Sequence, residues 1–371
     1  MRQYTASPAF SHDAATRVAV LLVQLGTPSA PEAGAVRRYL KEFLSDPRVV
    51  EIPRLAWSLI LNGVVLNTRP KRSAHKYASI WTREGSPLLV NTVKQSMLVR
   101  GYLGEAGHDV DVEFAMRYGE PSVPSVLRKL RERNCAQLLV LPLYPQYAAS
   151  TTASAYDAVF SELMAWRNPP ELRTIKHFHD QPAYIDALAD HVRAAWQHDG
   201  PPEKLLMSFH GLPRRSLMLG DPYHCECLVT GRLLAQALGL SAPDYQVTFQ
   251  SRFGGAEWLQ PYTSATLEQL GKQGVRRVDV VCPGFVSDCL ETLEEIAIEG
   301  KRTFIESGGQ DFRYIGCLND SSGLIRALVE LIGEHLCGWP SGRAASAEDG
   351  RAQQALRTKR KERARELGAS N

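Results

Sequence analysis

KLLMSFHGLP, residues 204–213, is an apolar run that ends in a histidine, a glycine and a proline. The run predicts a buried strand, and Gly211 and Pro213 end it, so His210 should lie at the carboxyl edge of a sheet. Ligands of open α/β sheets bind outside that edge. Because an imidazole with a pKa of about 6.5 suits both proton transfer and metal binding, we expect His210 to be functional. A hydrogen-bonded structural histidine is the alternative.

Seven further apolar runs resemble this one, and helical patterns such as PSVLRKLRERN separate them. The eight predicted strands are 17–26, 110–119, 136–145, 172–178, 204–211, 245–254, 277–285 and 311–318. Continuous apolar strands that alternate with helices indicate parallel sheets covered on both faces. We therefore predict an α/β protein.

The strands form two sets of four, because VEFAMRYGEPS echoes VTFQSRFGGAE and places Arg117 and Arg252 at matching positions. This echo predicts two similar doubly wound, Rossmann-like domains that face each other across a cleft. The expected division is an N-terminal extension 1–17, a first domain 18–178, a second domain 179–339 and a polar tail 340–371. We expect the basic tail, which has no apolar stripe, to be disordered or a frayed helix.

The first half carries about 50 extra residues after its first strand, because 91 positions separate Gly26 from Arg117 but only 41 separate Gly211 from Arg252. The insertion, about residues 41–90, joins the apolar stretch LAWSLILNGVVL to a segment with Arg, Lys, Tyr and Trp. It could line a pocket for a large, flat, apolar ligand that bears carboxylates. A helical hairpin packed on its own domain is an equal alternative.

A second candidate element is the acidic segment after the predicted strand 277–285. Asp288, Glu291, Glu295 and Glu299 are spaced three, four and four residues apart, which predicts one helical stripe. Leu290, Leu293 and Ala297 would then pack inward on the sheet. The stripe could carry a divalent cation, or it could combine a D-x-x-E capping box with solvated acids.

Composition excludes several classes of function. The 371 residues are 44% hydrophobic and 22% charged, and 43 Lys and Arg against 40 Asp and Glu are too balanced for a nucleic-acid-binding protein. No segment has the roughly 18 apolar residues of a membrane span, so a cytoplasmic protein is expected. Neither a G-x-G-x-x-G turn nor a Walker lysine motif is present. His224 with the C-x-C pair Cys225 and Cys227 lacks a second pair, so we expect no structural metal there.

Five stretches together resemble the ferrochelatase family, whose members insert ferrous iron into protoporphyrin IX. They are LYPQYAASTT (143–152), LLMSFHGLPRRSLMLGDPY (205–223), QSRFGGAEWLQP (250–261), FVSDCLETLEEIAIE (285–299) and YIGCLND (314–320). They occur in the family's order, and the resemblance covers residues 18 to about 339. It implies a metal chelatase, a lyase of haem biosynthesis, with Fe²⁺ and protoporphyrin IX as substrates.

The resemblance also implies roles for individual residues. His210 and Glu291 would be catalytic, and Asp288 and Glu295 would join them in handling the metal. Residues expected to contact the porphyrin are Arg117, Tyr118, Trp258 and Tyr77, with Ser86 and Arg69 near a propionate.

Four positions refine this expectation. Cys289 stands where many family members have histidine, and Leu25 stands where the coproporphyrin-using branch has tyrosine, which favours protoporphyrin IX. The late part of the chain has only Cys317 and Cys337, so neither the animal-type iron–sulfur cluster nor another permanent cofactor is expected. A chelatase for another tetrapyrrole and a non-catalytic haem-binding protein are the alternatives. The expected protein is a monomer that contacts the inner-membrane surface or the porphyrin-supplying enzyme transiently.

Overall fold

The computed structural model describes residue 4, residues 11–342 and residues 347–369. Its first half is built around a four-stranded parallel sheet of order β2-β1-β3-β4. In chain order its elements are β1 (Arg17–Gly26), α1 (Ala33–Leu44), α2 (Arg54–Ile60), a π-helical segment (Leu61–Val65), α3 (Leu66–Ile80), α4 (Pro87–Glu105), β2 (Asp111–Tyr118), α5 (Val123–Glu132), β3 (Cys135–Pro142), a π-helical segment (Ala149–Ala153), α6 (Ser154–Leu163) and β4 (Glu171–Thr174).

The second half repeats this topology with a parallel sheet of order β6-β5-β7-β8. Its elements are α7 (Pro182–Asp199), β5 (Lys204–His210), α8 (Arg214–Met218), α9 (Tyr223–Leu238), a 3₁₀ turn (Ala242–Asp244), β6 (Tyr245–Gln250), α10 (Thr263–Lys272), β7 (Arg277–Val281), α11 (Leu290–Thr292), a π-helix (Leu293–Gly300), α12 (Lys301–Glu306), β8 (Asp311–Ile315), α13 (Ser322–His335) and α14 (Ala347–Glu366). The two doubly wound sheets predicted from the sequence are confirmed.

Side chains of β1 alternate between two apolar cores, as the period of two in a strand requires. Val20 and Leu22 join a large core that includes Leu205 and Phe209 of β5, whereas Ala19 and Leu21 face a smaller core under α5 and α6. Helix α13 packs against both α4 and α7. One face of each sheet thus contributes to a core that the two halves share.

Most of the predicted strands extend beyond the observed ones, and two of these extensions bear on the candidate site. The run 245–254 leaves the sheet after Gln250, because Ser251 adopts a left-handed backbone with φ of 65°. The run 172–178 stays in the sheet only as far as Thr174. In both cases the residues that leave the sheet bear side chains that contact the other half or the acidic segment.

Of the two states expected for the tail, disorder or a frayed helix, the described residues adopt a helix. Residues 347–366 form α14, which is rich in Ala, Arg, Lys, Glu and Gln, the residues with the highest helix propensity. An ion pair of 2.8 Å between Lys361 and Asp13 links the helix to the N-terminal segment. Intrinsic propensity, and not an apolar stripe, accounts for this helix. The four-residue gap before it lies outside the described residues.

Among the described residues, no helix is both long and apolar enough to cross a bilayer. The insertion instead forms α2, the π-helical segment and α3, which pack against α1. Its outer surface leaves Leu55 86% and Leu59 77% exposed. The insertion therefore both packs on its own domain and presents apolar side chains to solvent.

Candidate active site

His210 is the last residue of the central strand β5, and it pairs in register with Gln250 at the end of β6. The adjacent residue must be small, because a Cβ at Gly211 would lie 2.6 Å from the Gln250 carbonyl oxygen and 3.2 Å from the Trp258 ring. Position 211 therefore lets the loop turn tightly while Trp258 closes over it.

The tautomer of His210 follows from one hydrogen bond. Its Nδ1 lies 2.7 Å from the carbonyl oxygen of Gly211, which can only accept, so Nδ1 carries the proton. Neutral His210 then presents an unprotonated Nε2. A ring held in this way can accept a proton or bind a metal ion at Nε2.

The acidic segment does not begin with the predicted capping box. Cys289 is the N-cap, and its backbone N–H bonds Thr292 Oγ1 at 3.0 Å. From Leu293 the chain winds as a π-helix, so spacings of three and four residues no longer define one stripe. The prediction of a single stripe from Asp288 to Glu299 is wrong for this reason.

Asp288 is buried, and donors of the second half surround its carboxylate. It accepts hydrogen bonds from Tyr314 Oη at 2.6 Å, Asn319 Nδ2 at 2.7 Å and Thr292 Oγ1 at 3.0 Å. These bonds anchor the start of the acidic segment to β8 and the loop after it. Asp288 thus holds the segment in place, and its described hydrogen bonds do not include His210.

Glu291 and Glu295 contact the end of β6, next to His210. Gln250, the strand partner of His210, donates from Nε2 to the Glu291 carbonyl at 2.6 Å. Ser251 donates its backbone N–H to Glu295 at 2.6 Å and also bonds it through Oγ. Burial raises the pKa of Glu295, while the Ser251 hydrogen bonds and the protonated form of His210 oppose that rise and Glu291 adds to it. Glu295 therefore interacts electrostatically with both His210 and Glu291.

The first half supplies an apolar wall opposite Glu291. Tyr39 of α1 and Tyr77 of α3 are buried, and burial together with the nearby Glu291 carboxylate raises the pKa of both phenols. Leu290 and Leu293 pack against this tyrosine cluster, and not on their own sheet as the stripe predicted. The sequence pattern does not distinguish Tyr39 as a site residue. Its spacing of three residues from Val36 and four from Phe43 is that of an ordinary core position on a helix.

An ion pair joins α3 of the first half to the acidic segment of the second half. Lys76 Nζ lies 2.8 Å from Glu294 and 3.3 Å from Glu299. Burial raises the pKa of Glu294, and Lys76 opposes that rise. Glu299, predicted to be part of a metal-handling stripe, is instead a partner of this lysine.

Arg117 and Tyr118 form a buried network with Asp46. Arg117 donates to the Asp46 carboxylate and to Ser154 Oγ at 2.7 Å, and Tyr118 Oη donates to Asp46 at 2.9 Å. Tyr118 is fully buried, and the Arg117 side chain is 18% exposed. The structure thus directs both residues into the first half, which argues against the predicted direct porphyrin contact.

Three other predicted contact residues, Ser86, Arg69 and Trp258, have separate surroundings. Ser86 is buried and accepts a hydrogen bond of 2.8 Å from Thr27. The Arg69 guanidinium lies 3.8 Å from the centroid of the Phe253 ring, in the loop that follows β6, and burial lowers the pKa of Arg69. Trp258 Nε1 is buried and has no hydrogen-bond partner among the described residues. An unpartnered buried N–H costs about 1–3 kcal/mol and is available to a ligand.

Comparisons with known proteins show the family of the chain. A family model described as Ferrochelatase matches residues 17–336. The chain is 58% identical to the ferrochelatase of Chromobacterium violaceum over 100% of this chain and 99% of that one. It is 60% identical to the ferrochelatase of Herminiimonas arsenicoxydans over 90% and 91% of the two chains.

Solved structures share the fold at low sequence identity. The structure of SirB from Bacillus subtilis with Fe³⁺ has a TM-score of 0.53 and 11% identity, with 87% of this chain and 96% of that chain covered. The sirohydrochlorin chelatase SirB from Bacillus subtilis subspecies spizizenii with cobalt has a TM-score of 0.50 and 10% identity, with 88% and 99% covered. Because the family model matches residues 17–336 and the two ferrochelatase relatives match at 58% and 60% identity, the chain belongs to the ferrochelatase family.

Proposed function

We propose that this protein inserts Fe²⁺ into protoporphyrin IX between His210 and the wall formed by Tyr39 and Tyr77. Family membership makes the chain an iron-inserting lyase of haem synthesis, with a porphyrin and iron as its substrates. The observation that carries the proposal is the His210 tautomer, because a fixed, unprotonated Nε2 is the group that removal of a pyrrole proton requires.

The proposed reaction moves two protons. Fe²⁺ loses water, forms four bonds to the porphyrin nitrogens and displaces the two N–H protons of the free macrocycle. His210 Nε2 accepts one proton, and Glu291 or Glu295 accepts the other. The raised pKa of Glu295 suits it to hold a proton closer to neutral pH than an ordinary carboxylate does. Carboxylate and imidazole also bind Fe²⁺ without the strong retention that thiolates would cause.

Asp288 has a supporting role in this proposal. The Asp288 carboxylate anchors the segment that leads into Glu291, and Asp288 does not coordinate Fe²⁺. Arg117 and Tyr118 support the first half in the same way, whereas Tyr77 and Trp258 frame the macrocycle. Ser86, Arg69 and the unpartnered Trp258 N–H are the proposed donors to propionates.

The porphyrin preference rests on Leu25. This side chain is partly buried against the cluster that contains Tyr39 and Tyr77. An apolar residue there suits the vinyl groups of protoporphyrin IX, while the additional propionates of coproporphyrin would lose hydration without a charged partner. Competition between the two porphyrins for Zn²⁺ insertion tests this choice. A clear preference for coproporphyrin would contradict it.

The central experiment measures porphyrin fluorescence loss on addition of Fe²⁺ or Zn²⁺. His210→Ala should lower the insertion rate 10²–10⁴-fold, the range for a lost general base, and leave circular dichroism unchanged. His224→Ala, which removes a half-buried imidazole stacked on Phe249 at 5.5 Å, is the matched control. An active, folded His210→Ala would refute the assignment. Wild-type protein that binds porphyrin without inserting metal would instead identify a haem-binding protein.

We expect no iron–sulfur cluster, since Cys317 is buried and Cys337 is exposed in different surroundings. We expect a monomer. Because Leu55 and Leu59 are exposed, we also expect it to associate peripherally with the inner membrane. Sedimentation with anionic phospholipid vesicles should fall for Leu59→Ser and stay unchanged for Leu356→Ser, which alters an exposed leucine on α14. Equal sedimentation of the two variants would leave the porphyrin-supplying enzyme as the partner of this surface.

A further inference from the structure

Two histidines and a glutamate converge at a place that the proposed reaction does not use. His177 and His179 lie in the extended segment after β4, and Glu226 lies in the first turn of α9. His177 Nδ1 is 2.7 Å from Glu226 Oε1, and His179 Nδ1 is 3.5 Å from Oε2. One potential ligand atom from each residue lies within 4.8 Å of the other two. This arrangement forms a compact group of two nitrogens and a carboxylate.

The interior of this group is buried and incompletely paired. The side chains of His179 and Glu226 are only 9% and 8% exposed, and His179 Nδ1 has no hydrogen-bond partner among the described residues. A buried imidazole nitrogen normally has a partner. The unpaired nitrogen therefore points to a ligand at the centre of the group. His177, at 40% exposed, connects that centre with solvent.

Neighbouring groups hold the three residues in place. The backbone N–H of Tyr147 donates to Glu226 Oε2 at 2.7 Å and orients the carboxylate. Thr230 Oγ1 donates to the backbone carbonyl of His179 at 2.8 Å and fixes the extended segment on α9. Support of this kind, from outside the three side chains, is typical of protein metal sites.

We infer that His177, His179 and Glu226 bind one divalent transition-metal ion of the zinc class. Imidazole nitrogens and a carboxylate oxygen are ordinary ligands of Zn²⁺. The Asp180 carboxylate, 3.8 Å from His179 Nδ1, can approach as a fourth ligand, or water can occupy that position. The ion would join the segment between the two halves to α9, and through Glu226 to the loop at Tyr147. The inferred ion therefore stays bound between the two halves of the protein, and it is distinct from the iron that the reaction inserts into the porphyrin.

The test uses Zn²⁺ binding to the full-length protein after treatment with a chelator. Competition with a chromophoric chelator measures affinity and stoichiometry, and the His210→Ala background removes the other candidate ligand site. One tight Zn²⁺ ion should remain in that background. Adding His177→Ala or Glu226→Gln should weaken its binding at least tenfold. Glu226→Gln preserves an oxygen that accepts from Tyr147, so it tests the charge without removing the hydrogen bond.

Two controls make the result decisive. His224→Ala alters the neighbouring histidine of α9, whose ring stacks on Phe249, and should leave Zn²⁺ affinity unchanged. Zn²⁺ should raise the melting temperature of the His210→Ala protein and have little effect once His177→Ala is added. Because His177 is more exposed than His179, we expect the His177→Ala protein to fold even where a substitution at His179 prevents folding. Equal Zn²⁺ affinity with and without His177, or no bound ion in the His210→Ala protein, would overturn the inference.

Discussion

Arg117 allows a sharp test, because the family resemblance makes it a porphyrin contact and the structure makes it the partner of a buried carboxylate. The side chain of Asp46 is 3% exposed and that of Arg117 is 18% exposed. Removal of one partner from a buried ion pair costs about 3–5 kcal/mol, since the other charge remains unpaired. Partial solvation of Arg117 places the expected loss for Arg117→Ala near the lower limit, about 3 kcal/mol.

Urea denaturation measures this loss, and a fluorescence titration of the same variant measures porphyrin binding. Asp46→Asn should destabilise the protein by a similar amount, and the double variant by less than the sum, with a coupling of about 1–3 kcal/mol. Arg252→Ala is the matched control, because it alters the exposed counterpart in the second half, which lies 4.8 Å from the Tyr262 ring centroid. The reasoning would be refuted if Arg117→Ala cost below about 1 kcal/mol yet weakened porphyrin binding a hundredfold.

Three further predictions concern stability. Although burial favours the protonated acid, hydrogen bonds from Ser154 and its other donors lower the pKa of Asp46, so its contribution should persist above an unfolded pKa of about 3.9 and vanish at lower pH. Urea midpoints of wild type and Asp46→Asn should therefore converge in acid, and a constant difference would contradict this. Gly26→Ala should cost more than about 4 kcal/mol or abolish folding, because φ is 109° and the new Cβ would lie 1.7 Å from the Tyr118 carbonyl oxygen. Soluble yield and melting temperature measure this effect. Gly34→Ala is the control, because the nearest atom to its new Cβ would be the Arg38 guanidinium nitrogen at 3.9 Å. Lys76→Met should cost about 1 kcal/mol at low salt and less at high salt, and a loss independent of salt would show that packing and not charge is responsible.

The pattern of apolar runs was sufficient to predict both sheets, because parallel strands buried on both faces produce continuous apolar segments. The ends of the strands were harder to predict. Ser251 continues an apolar, strand-like run, yet it leaves the sheet to bind Glu295. His177 likewise leaves the first sheet and meets Glu226. Such departures depend on partners distant in sequence, so a local pattern cannot reveal them.

The candidate site was predictable only in part for a related reason. The position after an apolar strand indicates His210, and in the structure Glu295 interacts electrostatically with His210 and with Glu291. Asp288 was placed on the same stripe because regular helical spacing was assumed. The π-helix from Leu293 invalidates that assumption, and the hydrogen bonds to Tyr314 and Asn319 come from residues that no spacing rule connects to Asp288.

Under the proposed function, a flat substrate reaches His210 by separating Tyr77 from the acidic segment, which the ion pair between Lys76 and Glu294 holds together. Tyr77 follows Lys76 in the chain, and Glu295 follows Glu294. Separating Tyr77 from Glu295 therefore also stretches this ion pair. Dissolved ions weaken such an attraction most when the charges are partly hydrated, as Lys76 is. The admission rate of the macrocycle should therefore increase with ionic strength even where the chemical step does not change.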